Sequence, residues 1–102
     1  MHDDDPWSTL RSHQLRDFIA VADTGSLRAA ARKLGLTQPS LTKSLRQLET
    51  QLEVAIISRT SHGVTLTSAG RLLLDHARLL ESEIRRTHDA FRRMRGGSAA
   101  RT

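Results

Sequence analysis

Cysteine and tyrosine are absent from the 102-residue sequence, and proline occurs only twice. The lack of cysteine excludes a disulfide framework, a thiolate zinc site and a cysteine nucleophile. Aromatic residues are limited to Trp7, Phe18 and Phe91, so a core must be built from Leu, Ile, Val and Ala. Such side chains pack a small helical domain with little surplus, and oligomerisation would add stability. No apolar run approaches the length of a bilayer span. The opening Met1-His2-Asp3-Asp4-Asp5-Pro6 is acidic and lacks the apolar segment of a signal peptide. A cytoplasmic protein is the expectation. The length allows one small domain with one appended element.

Charge is unevenly placed. The net charge is +5. Residues 1–9 carry three Asp and no base, and read as a disordered acidic leader. Residues 10–67 carry eight Lys/Arg against four Asp/Glu, and residues 68–102 again eight against four. A basic body behind an acidic leader points to a polyanionic partner such as nucleic acid, against the alternative of a solvated basic surface.

Hydrophobic spacing divides the body. Leu15, Phe18, Ile19 and Ala22 follow the i, i+3, i+4, i+7 pattern of one helix face, with Ser12 as the expected N-cap and Thr24-Gly25 as the stop. Ser26 is placed to cap a second helix with stripe Leu27, Ala30, Ala31 and Leu34, ended by Gly35. Thr37 is placed to cap a third, in which Pro39 falls in the first turn and Leu41, Leu45, Leu48 and Leu52 form the inner stripe. Two short helices joined by a glycine-containing turn make a helix-turn-helix, here over about 27–46. Ala55-Ile56-Ile57 and Val64-Thr65-Leu66-Thr67 flank a polar turn with Gly63 and read as a β-hairpin, a wing. Thr67 or Ser68 then opens a long helix expected to run to about Arg95, with Gly96-Gly97 ending it and 96–102 a flexible tail. On this helix Leu73, Ala77, Leu80, Ile84, Thr87, Phe91 and Met94 are spaced alternately four and three apart, a heptad seam that predicts pairing of two helices. Leu72 and Leu79 occupy a neighbouring face and are expected to pack on the domain.

Catalytic patterns are missing. No two of the five His stand three or four apart, no glycine-rich phosphate loop follows a strand, and Glu81 and Glu83 diverge on a helix. No enzyme, metal or cofactor is expected. The third helix is more informative. Opposite its leucine stripe lie Pro39, Lys43, Arg46 and Thr50, with Thr42 at the flank and Gln38 at the exposed start. Gln pairs with adenine edges and Lys donates to guanine O6 or N7, while Thr donates to a base or touches a thymine methyl. Arg59 and His62 flank the hairpin tip, within reach of phosphates or a minor groove. Arg32 and Lys33 lie on the second helix, which crosses the DNA backbone in such motifs. Plain surface polarity is the competing reading of each.

The blocks Phe18-Ile19-Ala20-Val21-Ala22-Asp23-Thr24-Gly25-Ser26-Leu27, Leu36-Thr37-Gln38-Pro39-Ser40-Leu41-Thr42-Lys43, Leu48-Glu49, Arg59-Thr60 and Gly63-Val64-Thr65-Leu66-Thr67-Ser68-Ala69-Gly70 resemble, in order, the N-terminal region of LysR-type transcriptional regulators. The resemblance covers about residues 10–95. It implies a mainly α fold, a winged helix-turn-helix over 10–67 made of three helices and a small hairpin, followed by a linker helix over 68–95. It further implies an antiparallel homodimer through that helix and sequence-specific binding of double-stranded DNA with an inverted-repeat site. On this pattern Gln38, Pro39, Thr42 and Lys43 match base-reading positions, and Arg59 and His62 match the wing. Ser26, Thr37 and Thr67 fall where helix starts can meet phosphates; Arg32, Lys33 and Arg46 are candidate phosphate contacts from their places on the second and third helices, apart from the resemblance. Leu73, Ala77, Leu80, Ile84, Phe91 and Met94 are the expected dimer contacts. The effector-binding domain that follows the linker helix in the family is not within these residues, so a small-molecule effector is expected only in a longer parent chain. The family often has Arg where Lys43 stands, Gly where Glu53 stands, Phe or Leu where Ile57 stands, Glu at Ser58, and Arg or Lys where His62 stands. A dimeric protein scaffold that does not read DNA is the alternative, distinguished by whether duplex affinity exists and falls steeply with salt.

Overall fold

The computed structural model describes residues 10–101, with side chains through residue 96; the acidic leader expected over 1–9 lies outside the described residues. Helices α1 (Ser12–Thr24), α2 (Leu27–Leu34) and α3 (Gln38–Leu52) precede strands β1 (Ile57–Thr60) and β2 (Gly63–Leu66) and a long helix α4 (Ser68–Arg101). The strands form one antiparallel pair with Ile57 opposite Leu66 and Thr60 opposite Gly63. This is the expected mainly α winged helix-turn-helix with a following long helix.

Local chemistry sets most boundaries. Ser26 Oγ accepts from the Ala29 N–H at 3.1 Å, and Thr37 Oγ1 from the Ser40 N–H at 3.2 Å, so both are N-caps as expected. Thr67 Oγ1 accepts from the Gly70 N–H at 3.0 Å and opens α4. Ser12 is a correction. Arg11 is the N-cap of α1, because its N–H is held by Gln14 Oε1 at 3.3 Å and its carbonyl closes the first turn; Ser12 is the first helical residue. Gly25 and Gly35 end α1 and α2 in the left-handed conformation. α3 ends the same way on Glu53, at φ 58°, the one non-glycine residue with positive φ among those described.

The core lies where α1 meets the other helices. Phe18, Val21, Ala30, Leu41, Leu48 and Ile56 are wholly buried, and Leu45 nearly so. Full burial of a large aliphatic or aromatic side chain contributes about 1.5–3 kcal/mol. α1 is the central helix and packs against α2, α3, β2 and α4. That position buries its polar Gln14 and Asp17 along with its apolar stripe. Asp17 is satisfied by the Ser44 hydroxyl, which donates at 2.8 Å, and by the Arg16 guanidinium at 3.3 Å.

The hairpin is tied to the helices at three places. The Val64 N–H donates to the Gly25 carbonyl at 3.1 Å. Gly63 lies so near that turn that a Cβ on it would sit 2.6 Å from the Gly25 oxygen. At the base, the Thr67 N–H donates to the Ile56 carbonyl, and Thr67 Oγ1 donates to the Ala55 carbonyl at 2.7 Å. Gly70 packs directly on the Ile56 carbonyl, and any side chain there would collide with it.

α4 departs from expectation in two ways. Leu73, Leu74 and Ala77 face the domain, Ala77 being 1% exposed, whereas Leu72 and Leu79 are 62% and 67% exposed. The packed and exposed leucines are thus exchanged relative to the sequence reading. Leu73, Leu74 and Ala77 lie three, four and seven residues past Gly70, on the helix face that Gly70 seats against Ile56. Ala77 is therefore covered by its own domain and Leu73 is half-buried against it. The helix also continues through Gly96-Gly97 to Arg101. Glycine lowers helix stability by about 1 kcal/mol against alanine but does not forbid the conformation, and no left-handed cap forms there.

Candidate nucleic-acid interface

The outward side of α3 lines an open groove, to which the start of α1 adds Arg11 and Gln14 and the wing adds Arg59. Four residues anchor α3 from behind. Leu41, Leu45 and Leu48 are buried in the core, and Ser44 is bonded to the buried Asp17 carboxylate across 27 residues of sequence. These contacts fix the rotation of α3 about its own axis. Gln38, Pro39, Lys43 and Arg46 consequently face solvent, with Thr42 half-buried at their edge.

The groove is about 920 Å³ and is lined by Gln38, Pro39, Thr42, Lys43 and Arg46, with Arg59 reaching in from β1. The four expected base-reading residues are thus brought together, with one expected wing cation beside them. Four cations, Arg11, Lys43, Arg46 and Arg59, line it with no carboxylate among the lining residues. A concave, uniformly cationic surface concentrates a polyanion, while amide and hydroxyl groups along its floor supply directional hydrogen bonds.

Ser26, Arg32, Lys33, Thr37, His62 and Thr67 do not line this groove. Ser26 and Thr37 cap their helices, with the Thr37 hydroxyl also donating to Ser40 Oγ. The Thr67 hydroxyl is used twice inside the domain, once as donor and once as acceptor. Arg32 and Lys33 are exposed in the last turn of α2, where cations also complement the helix dipole. His62 is exposed at the hairpin turn.

Four further groove residues escaped the sequence reading: Arg11, Gln14, Gln47 and Gln51. Gln47 and Gln51 continue the line of Lys43 at successive i+4 steps, a signal the sequence does hold. Gln51 Oε1 is buried in the wall without a hydrogen-bond partner among the described residues. Arg11 and Gln14 carry no such signal, because only the packing of α1 against α3 brings them there.

A second groove, largely apolar, separates the first half of α1 from α4. Leu10, Leu15, Ile19, Ala77, Leu80 and Ile84 line it, flanked by His13, Arg16, Glu81, Arg85 and His88. Leu80, Ile84, Phe91 and Met94 are all at least 48% exposed. Apolar exposure of that extent along one helix marks an interface. No group of His, Asp or Glu among the described residues is arranged to hold a metal ion, and no helix there is long and apolar enough to cross a membrane.

Comparison with known proteins gives a consistent result. The family described as "Bacterial regulatory helix-turn-helix protein, lysR family" matches residues 12–71. The HTH-type transcriptional regulator ClcR of Pseudomonas putida is 49% identical over 67 residues, which are 66% of this chain and 23% of that protein. An uncharacterized HTH-type transcriptional regulator in the ibpB-leuC intergenic region of Azotobacter vinelandii is 41% identical over 87 residues, 85% of this chain and 60% of that protein. The chain thus spans from about a quarter to three-fifths of these relatives. Among solved structures, a complex of the CbnR DNA-binding domain with DNA superposes with a TM-score of 0.76 at 37% identity, covering 81% of this chain and 95% of that one. A complex of the BenM DNA-binding domain with catB site 1 DNA gives a TM-score of 0.80 at 29% identity, covering 83% and 96%.

Proposed function

This chain belongs to the LysR family of bacterial regulatory helix-turn-helix proteins, and on that premise we propose that it binds double-stranded DNA sequence-specifically, as the DNA-binding domain of a transcriptional regulator. Gln38, Pro39, Thr42 and Lys43 read base edges in the major groove. Arg46, Arg59 and Arg11 meet phosphates. Ser26, Arg32, Lys33, Thr37 and His62 add phosphate contacts from beside the groove, and Thr67 acts through the seating of the wing. The observation that carries this reading is the groove along the outward face of α3, with four cations and no carboxylate in its lining. The family is one of regulators and not of enzymes.

The chain acts as a homodimer through α4. Leu80, Ile84, Phe91 and Met94 supply the contact, and the exposed Leu72 and Leu79 replace Leu73 and Ala77 in it. A two-fold dimer presents two copies of α3 to an inverted-repeat site. A bacterial cytoplasmic location, with the nucleoid as the place of action, follows from the same reading.

Selection of bound duplexes from a random pool, followed by footprinting, tests the reading. It is expected to return an inverted repeat. On that site Gln38→Ala and Lys43→Ala each cost about 1–3 kcal/mol of binding and relax preference at one base position. Equal losses on selected and random duplexes would show that these residues touch only phosphate, and no duplex affinity at moderate salt would leave the scaffold alternative standing.

A further inference from the structure

Glu49 stands on the DNA-facing helix without an ion-pair partner among the described residues. A carboxylate there opposes phosphate binding unless it serves another purpose. Its Oε2 accepts the Ile56 N–H at 2.8 Å and the Ile57 N–H at 3.4 Å. These are the last residue before β1 and the first residue of it. Arg59, the wing cation that lines the groove, is two residues further along the same short strand. Opposite Arg59 in the hairpin is Val64, whose N–H is held by the Gly25 carbonyl. The strand carrying Arg59 is thus held from two sides: by the side chain of a residue on α3, and through its partner strand by the turn between α1 and α2.

The geometry points to Glu49 as a positioning residue for DNA binding, whose carboxylate sets where Arg59 stands relative to the base-reading face of α3. Resting on the proposed DNA binding, the role has a definite physical form. A two-stranded hairpin is marginal by itself, and a charged acceptor on backbone N–H groups makes a stronger hydrogen bond than a neutral one. Removing it frees the start of β1 and widens the positions Arg59 samples, while α3, held by Leu41, Ser44, Leu45 and Leu48, keeps its place. Glu49 therefore affects phosphate affinity and leaves base preference unchanged.

The test measures binding to a duplex of random sequence over a range of KCl concentrations. Glu49→Ala is expected to weaken binding roughly threefold to tenfold and to lower the log–log salt slope by about one, the signature of one lost phosphate contact. Glu49→Gln retains an acceptor for Ile56 and recovers most of the loss. In an Arg59→Ala background, Glu49→Ala causes no further loss of affinity. Multiplying losses in the double variant, or unchanged affinity and slope in Glu49→Ala, would overturn the proposal. A second arm needs no DNA: in the free protein Glu49→Ala shifts the amide resonances of Ile57, Arg59 and Val64 and leaves those of Leu41 and Leu45 in place. Unmoved wing amides refute the coupling itself, whereas moved amides in a protein that binds no duplex refute the DNA-binding reading and not the coupling. Should Glu49→Ala fail to fold, Glu49→Asp, which withdraws the carboxylate by one methylene, carries the same comparisons.

Discussion

The first ten residues of α4 and the rest of the helix both carry apolar side chains but live in different surroundings. From Ser68 to Ala77 the helix belongs to the domain: Gly70 and Ala77 are buried, and Leu73 and Leu74 pack on the core. From Arg78 onward apolar residues are sparser, and Leu79, Leu80, Ile84, Phe91 and Met94 are all exposed. A helix of 34 residues is about 50 Å long at 1.5 Å per residue, and the largest extent of the molecule is 58 Å. The domain is too short to cover it. The first part of the apolar stripe stabilises the domain, and the second is exposed for the proposed dimer contact.

The sharpest way to break the packed half is at Gly70. A methyl group there would press into the Ile56 carbonyl, which itself accepts from Thr67 at the hairpin base. The neighbour is backbone and has no room to yield. Gly70→Ala is expected to cost about 3 kcal/mol of folding stability, read from the midpoint of urea unfolding. A variant as stable as the parent would mean that α4 is not seated on Ile56.

Two leucines seven residues apart then separate the halves directly. Leu73→Ala is expected to cost about 2 kcal/mol of folding stability and leave the association constant unchanged. Leu80→Asp is expected to do the reverse, placing a charge in the exposed stripe and driving the sedimentation coefficient to that of a monomer. Because a dimer's apparent stability depends on concentration, both are compared at one protein concentration and across a dilution series. If Leu80→Asp remains a dimer, the second half of α4 is not the contact.

How much of this was legible follows the same division between local and tertiary causes. Ser26, Thr37 and Thr67 were readable as helix starts because a cap is completed within three residues. The face of α3 was readable because Leu41, Leu45, Leu48 and Leu52 leave one side for Gln38, Lys43 and Arg46. The hairpin was readable from alternation around Gly63, although Ile56 proved to be core rather than strand. Burial of Gln14 and Asp17 was not readable, since it results from the central place of α1. Neither was the exchange of Leu73 for Leu72: both belong to apolar repeats of seven, and the choice rests on how Gly70 meets Ile56. Arg11 entered the groove through a crossing of helices that no spacing records.

A smaller effect acts on the packed body alone and in the opposite direction. Glu53 ends α3 at φ 58° and ψ 37°, a conformation that costs an L-residue with a Cβ roughly 1 kcal/mol or more. Glycine has no such penalty. Glu53→Gly is therefore expected to raise folding stability by about 1 kcal/mol, partly offset by the entropy glycine gains in the unfolded chain. Urea unfolding checks it, and the dimer constant should not move, because Glu53 is not among the exposed apolar residues of α4 or the residues lining the groove beside them.

The smallest effect is expected at the boundary itself. Arg78 Nη2 stands 2.6 Å from Asp23 Oδ1, joining α4 to the end of α1 where the packed half gives way to the exposed one. The two side chains retain 49% and 35% of their exposure, so water and salt screen the attraction. Exposed pairs of this kind contribute about 0.2–1 kcal/mol. Arg78→Ala is expected to lower stability by about 0.5 kcal/mol in dilute buffer, and by less in 1 M KCl, where the screening length falls to about 3 Å. A loss of 2 kcal/mol or more that persists in salt would mean that Arg78 is held by packing as well as charge, and that the covered half of α4 extends one turn further than Ala77.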